Sequence, residues 1–118
     1  MVRIMGFTAA AVLLASPALA QDGAIRTAHA AIASGDFIRA EQVLTAEQRV
    51  FPDSPEVLIN LAAVYARTGR VAQAAALYRH VLSRADVLMD QSGDRTASSH
   101  LIARTGLQRV STLQTAAR

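Results

Sequence analysis

The chain has 118 residues, a formal net charge of +3 and no cysteine. That length has room for one small domain. The charge, +2 with Arg3 removed (3 − 1), is too small to imply nucleic acid, and the lack of cysteine excludes both a disulfide framework and a lipid-bearing thiol. All twelve basic residues are Arg, and with abundant Ala this bias suggests a GC-rich bacterial genome, an association that carries no chemistry.

Met1-Val2-Arg3 is a short basic start, and Ile4 to Ala15 is apolar or small throughout. Ser16-Pro17 breaks the run, and Ala18-Leu19-Ala20 supplies small residues before Gln21. This is the layout of a secretory signal peptide over residues 1–20, with a cut expected after Ala20 and a periplasmic or secreted destination. The apolar run is too short to span hydrocarbon, so no stable membrane anchor is expected after cleavage.

Gln21 to Ser34 is expected to be helical, with Asp22 as cap and Ile25, Ala28 and Ile32 on one face. After Gly35, Phe37 to Val50 returns with Phe37, Ala40, Val43, Leu44 and Val50 inward, and Glu47 falls awkwardly near that stripe. Phe51-Pro52-Asp53-Ser54-Pro55 breaks the helix and starts the next. Pro55 to Thr68 is almost wholly apolar, as for a helix covered on two sides. Gly69 turns the chain, and Val71 to Arg84 returns with Val71, Ala74, Ala75, Tyr78, Val81 and Leu82 apolar. Asp86 to Thr96, dense in Asp, Ser and Gly, is expected to be a loop. Ala97 to Ala117 is expected to be helical, with Leu101, Leu107, Val110 and Leu113 apolar and Gly106 placed to split it.

The two hairpins repeat each other. Gly35 recurs as Gly69, Ala40 as Ala74, Leu44 as Tyr78 and Pro52 as Asp86, each 34 residues on. Small residues such as Ala62 and Ala74 let paired helices approach, and Leu58, Leu61, Tyr65 and Tyr78 fill the space beside them. In its spacing this resembles the tetratricopeptide repeat, whose pattern is Trp-x2-Leu-Gly-x2-Tyr, then Ala-x3-Phe, then Pro. Here Leu58 replaces the Trp, Ala62 the Gly, Tyr78 the Phe and Asp86 the Pro. The resemblance implies an all-α fold: two helical hairpins in a right-handed stack plus a C-terminal capping helix. The first repeat spans 21–54 and is degenerate, the second spans 55–88, and the loop and cap fill 89–118. Ala103-Arg104-Thr105-Gly106 copies Ala66-Arg67-Thr68-Gly69 at a spacing of 37, but little else follows. The final helix is therefore read as a cap that buries the second repeat's open face, not as a third repeat.

Catalytic patterns are sparse. His29, His80 and His100 fall on different elements without a second ligand at metal-binding spacing. Ser98-Ser99-His100 are neighbours that point in different directions on a helix, so helix capping is the better reading than a nucleophile. Asp86, Asp90 and Asp94 lack the alternating oxygen ligands and closing Glu of a calcium loop. No catalytic residue, metal or cofactor is expected. By resemblance, first helices line a groove that accepts a peptide or partner helix, placing Ile25, Arg26, His29, Ile59, Asn60, Ala63 and Arg67 on or beside it. Ile25 and Ile59 stand where a carboxylate clamp of the family wants polar groups. The expected function is a non-catalytic adaptor of the cell envelope that binds another, periplasmic protein. A self-associating structural subunit of an envelope complex and an enzyme with an unrecognised site are the alternatives.

Overall fold

The computed structural model describes residues 17–91 and 94–116. The helices are α1 (Pro17–Ala33), α2 (Phe37–Val50), α3 (Pro55–Arg67), α4 (Val71–Leu82) and α5 (Ser99–Ala116); between α4 and α5 run β1 (Leu88–Gln91) and β2 (Arg95–Ser98). The expected leader lies outside the described residues as far as residue 16, and α1 runs on through the expected cut after Ala20. No helix among the described residues is long and apolar enough to cross a membrane.

Two identical turns build the hairpins. Gly35 and Gly69 both have positive φ, +79° and +81°. In each, the following N–H reaches back five residues, Asp36 to the Ala31 carbonyl and Arg70 to that of Tyr65, both at 2.8 Å. This is the Schellman closure, in which a glycine takes the left-handed position. The returning helix α2 is then capped by Asp36, which accepts from the Arg39 N–H at 3.1 Å. Ser54 caps α3 and Pro55 stands in its first turn, where a missing N–H costs nothing.

The apolar pattern of α3 divides into two faces, which explains its lack of a polar side. Val57, Leu61 and Val64 close a core with Ile25, Ala28, Ala31, Ala40 and Leu44 of α1 and α2. Leu58, Ile59 and Ala62 enter a second core with Ala74, Ala75, Tyr78, Val81, Met89, Ala103 and Val110. Leu44 and Leu61 have no exposed surface, so truncating either to Ala is expected to cost about 2–5 kcal/mol.

Four expectations are corrected. Asp86 to Thr96 is not a loop: Leu88 pairs with Ser98 and Gln91 with Arg95 in an antiparallel hairpin. Met89 is drawn into the second core, which fixes the register, and Asp94 takes a positive φ of 57° in the turn. Gly106 does not split the last helix, which runs unbroken from Ser99 to Ala116. Leu101 and Leu113 are 56% and 50% exposed, because α5 packs through the row Ser99, Ala103 and Val110, with Gly106 between them. Val50 is 65% exposed; the inward row of α2 runs Ala40, Leu44 and Glu47 and leads on to the half-buried Phe51 just after the helix, and Val50 falls one position short. Glu47 joins that row at a cost, since its Oε2 is buried without a hydrogen-bond partner.

Candidate functional site

The first helices α1 and α3 lie side by side, and two of the polar residues singled out in the sequence meet between them. His29 Nε2 stands 3.0 Å from Asn60 Oδ1. Asn60 Nδ2 donates to the Glu56 carbonyl at 2.7 Å, which turns its oxygen toward the imidazole. With the amide so oriented, His29 Nε2 is the donor of this bond. Arg26, one turn back on α1, is exposed; Ala63, one turn on from Asn60, is half-buried. Arg67 is exposed at the end of α3, its guanidinium 6.0 Å from the centre of the Phe37 ring. Ile25 and Ile59 are not surface residues: each is only 9% exposed, Ile25 in the first core and Ile59 in the second. A buried aliphatic side chain there holds the helices together and offers a partner nothing.

The remaining polar groups are spent on structure. His80 Nε2 and Arg84 Nη2 share the Asp53 carboxylate at 2.8 and 3.0 Å. A cleft of about 460 Å³ opens beside them, lined by Asp53, Val81, Arg84 and Val87 among others. Both Asp53 oxygens are already engaged there, and the cleft is formed mainly by the end of α4 and the connector after it. His100 Nε2 bonds the Arg84 carbonyl at 2.6 Å and faces neither neighbouring serine. Asp86 accepts from the Ser98 and Ser99 hydroxyls and from the His100 N–H. These bonds, led by that backbone N–H, hold its carboxyl below the usual range. Its neighbour Asp90 lies on β1 opposite Thr96. Among the described residues, no group of three His, Cys, Asp or Glu is placed to hold a metal.

Sequence reasoning missed the Arg70 site. Arg70 occupies the N-cap position of α4 without capping it. Instead it crosses to the first hairpin, pairing bidentately with Glu41 at 2.7 and 2.6 Å and lying 4.4 Å over the Tyr65 ring. The only hint in the sequence is a long cation where a short polar cap belongs.

The profile of the tetratricopeptide repeat matches residues 31–87, from the last turn of α1 through the connector after α4. The chain belongs to the tetratricopeptide repeat family. No curated protein and no solved structure matches it. Tetratricopeptide repeats generally bind other proteins, and the chain is in that general sense a protein–protein interaction module.

Within the repeat, the register of α5 follows from burial. Val57, Leu61 and Val64 of α3 face the preceding hairpin. The packed row of α5 has the same intervals of four and three, Ser99, Ala103 and Gly106. The step from Val57 to Ser99 is 42 residues, eight beyond the repeat's 34 (42 − 34), and the β-hairpin takes up the excess. So α5 covers the second hairpin through the same intervals by which α3 covers the first.

Proposed function

We propose that this chain is an exported, non-catalytic adaptor of the bacterial cell envelope, holding a segment of another periplasmic protein against its first helices. The observation that carries the reading is the His29–Asn60 pair, which joins α1 and α3 through exposed polar atoms rather than through the core. Arg26 and Arg67 flank it on the same two helices, so a partner meets a cation on either side of the pair. The layout of residues 1–20 supports export, and the core needs no disulfide to close. With so few repeats the face is short, and an affinity nearer micromolar than nanomolar is expected.

Mass analysis of the exported protein tests the address: the N-terminus should be Gln21, and an intact chain in the membrane fraction contradicts it. Capture from an envelope extract tests the face. His29→Ala with Asn60→Ala should weaken capture about tenfold, with little change in melting temperature, since solvent-facing substitutions cost little. Undiminished capture refutes the assignment. A second reading, self-association, is favoured by Leu88 and Leu101, which are 77% and 56% exposed. Sedimentation of the purified chain separates the two, because an adaptor is monomeric without its partner.

A further inference from the structure

Glu47 carries a buried carboxylate oxygen without a hydrogen-bond partner among the described residues. By the 34-residue step Glu47 corresponds to Val81, and Gln21 to Pro55. Pro55 and Val81 line one cleft of the second hairpin. Gln21 and Glu47 therefore share the same end of the first hairpin, where the start of α1 lies against the end of α2. The connector after α2 ties both residues to that end. Gln21 Nε2 donates to Ser54 Oγ at 2.7 Å, the Ser54 N–H to the Phe51 carbonyl at 3.2 Å, and the Phe51 N–H to the Glu47 carbonyl at 2.8 Å. Ala24 stands where Leu58 fills the second hairpin, which leaves the Glu47 carboxylate the room a leucine would take.

In the uncut chain α1 starts at Pro17, and the Gln21 nitrogen is an uncharged peptide nitrogen in its second turn. A cut after Ala20 turns that nitrogen into an ammonium with N–H donors to spend. We infer that this ammonium is the partner of the Glu47 carboxylate, so that processing closes an ion pair between the new N-terminus and the end of α2. This rests on the export reading, and adds that the cut completes the first repeat as well as freeing the chain. A positive charge at the start of a helix opposes the helix dipole, and a carboxylate beside it offsets that cost. The other acids at this end are Asp22, exposed on α1 itself, Glu56, half-buried in the first turn of α3, and Asp53, which is held by His80 and Arg84. Of these four carboxylates only Glu47 has a buried oxygen without a partner. The nearby cations Arg26 and Arg49 are exposed, and neither pairs with any of the four. In the cut chain Glu47→Leu breaks a pair, so the gain from deleting an unpartnered oxygen belongs to the chain before the cut.

Every basic residue other than histidine is Arg, so the α-amine is the chain's single primary amine and isotope-labelled methylation reports on it alone. Among the described residues both cores begin at Ile25, and a chain released at Gln21 from a cleavable tag keeps them whole. Methylated on release, before the amine closes onto its own side chain, it is titrated by NMR both folded and in urea. The folded amine should titrate about one pH unit above the unfolded one. In Glu47→Gln, which keeps the side chain's shape, the two titrations should coincide, while Glu56→Gln should keep the full difference. Equal titration of the folded and unfolded parent chain, an undiminished difference in Glu47→Gln, or an equal loss in Glu56→Gln overturns the inference. The export reading fails separately. An exported protein that begins elsewhere removes the address and leaves the titration of the cut chain unchanged; an ordinary amine in the cut chain removes the pair while the address stands.

Discussion

Replacing Gly106 by alanine sets two effects of opposite sign against each other. In a helix interior the change favours folding by about 0.8–1.0 kcal/mol, because alanine loses less backbone freedom. Here the new Cβ would sit 2.6 and 2.8 Å from Cε1 and Cε2 of Tyr78, where ordinary contact begins near 3.4 Å. The ring's Cζ would lie closer still, so helix or ring must give by more than 0.8 Å (3.4 − 2.6). The ring has little room to move, being 6% exposed and set among Leu58, Ala62, Ala74 and Ala103 in the second core. Overpacking of that kind costs about 1–3 kcal/mol, and a clash with several ring atoms belongs in the upper half of the range. The net expectation is a loss of about 1–2 kcal/mol by urea unfolding, or a melting temperature lower by roughly 5–15 °C. Tyr78→Leu removes the ring, so Gly106→Ala should be better tolerated in that background, with a coupling of about 1 kcal/mol or more. If Gly106→Ala instead stabilises the protein by its helix propensity, α5 does not pack on Tyr78 and its register is wrong.

Three further outcomes follow from packing and charge. Ala74→Leu, at a position with no exposed surface, should cost about 1–3 kcal/mol, whereas Ala76→Leu on the exposed side of α4 should cost little; equal thermal shifts count against the assigned faces. Glu47→Leu should raise stability by about 1 kcal/mol in chemical denaturation, because it removes a buried oxygen without a partner, and a loss would mean that this carboxylate is satisfied. Hydrogen bonds hold two carboxyls below their ordinary values, Asp86 below 3.8 chiefly through the His100 N–H and Glu41 below 4.5 chiefly through Arg70. The unfolded chain therefore takes up protons first as the pH falls, so their stabilisation is complete above those ordinary values and drains away as the pH drops through the folded-state ones. Asp86→Asn with Glu41→Gln should flatten the acid limb of a stability profile, and an unchanged limb refutes the assignment.

Much of this fold is legible in the sequence because its signals are local. Gly35 and Gly69 stand where the backbone needs positive φ, and the 34-residue recurrence of Ala40 as Ala74 marks the close approach of paired helices. The tetrapeptide Ala103-Arg104-Thr105-Gly106 misleads for the same reason. It copies a turn, yet its glycine is a packing residue inside a helix, and its burial row, not its letters, gives the register. The hairpin carries a sequence signal that composition hid: Gln91-Ser92-Gly93-Asp94-Arg95 is turn chemistry between two short runs. At the candidate site, the family resemblance brings His29, Asn60 and Arg67 to the first helices, whereas the burial of Ile59 depends on how α3 and α4 pack with α5. The Glu41–Arg70 pair was out of reach for a like reason, since it depends on the stacking of one hairpin on the next.

The central claim is that a partner lies along the first helices. Amide chemical-shift mapping of the isotope-labelled chain, titrated with the protein it captures from the envelope, tests this most directly. The account predicts shifts concentrated on α1 and α3, strongest around His29, Asn60 and Arg67. Shifts confined to α2, α4 or the β1–β2 hairpin, with those residues unmoved, would contradict it.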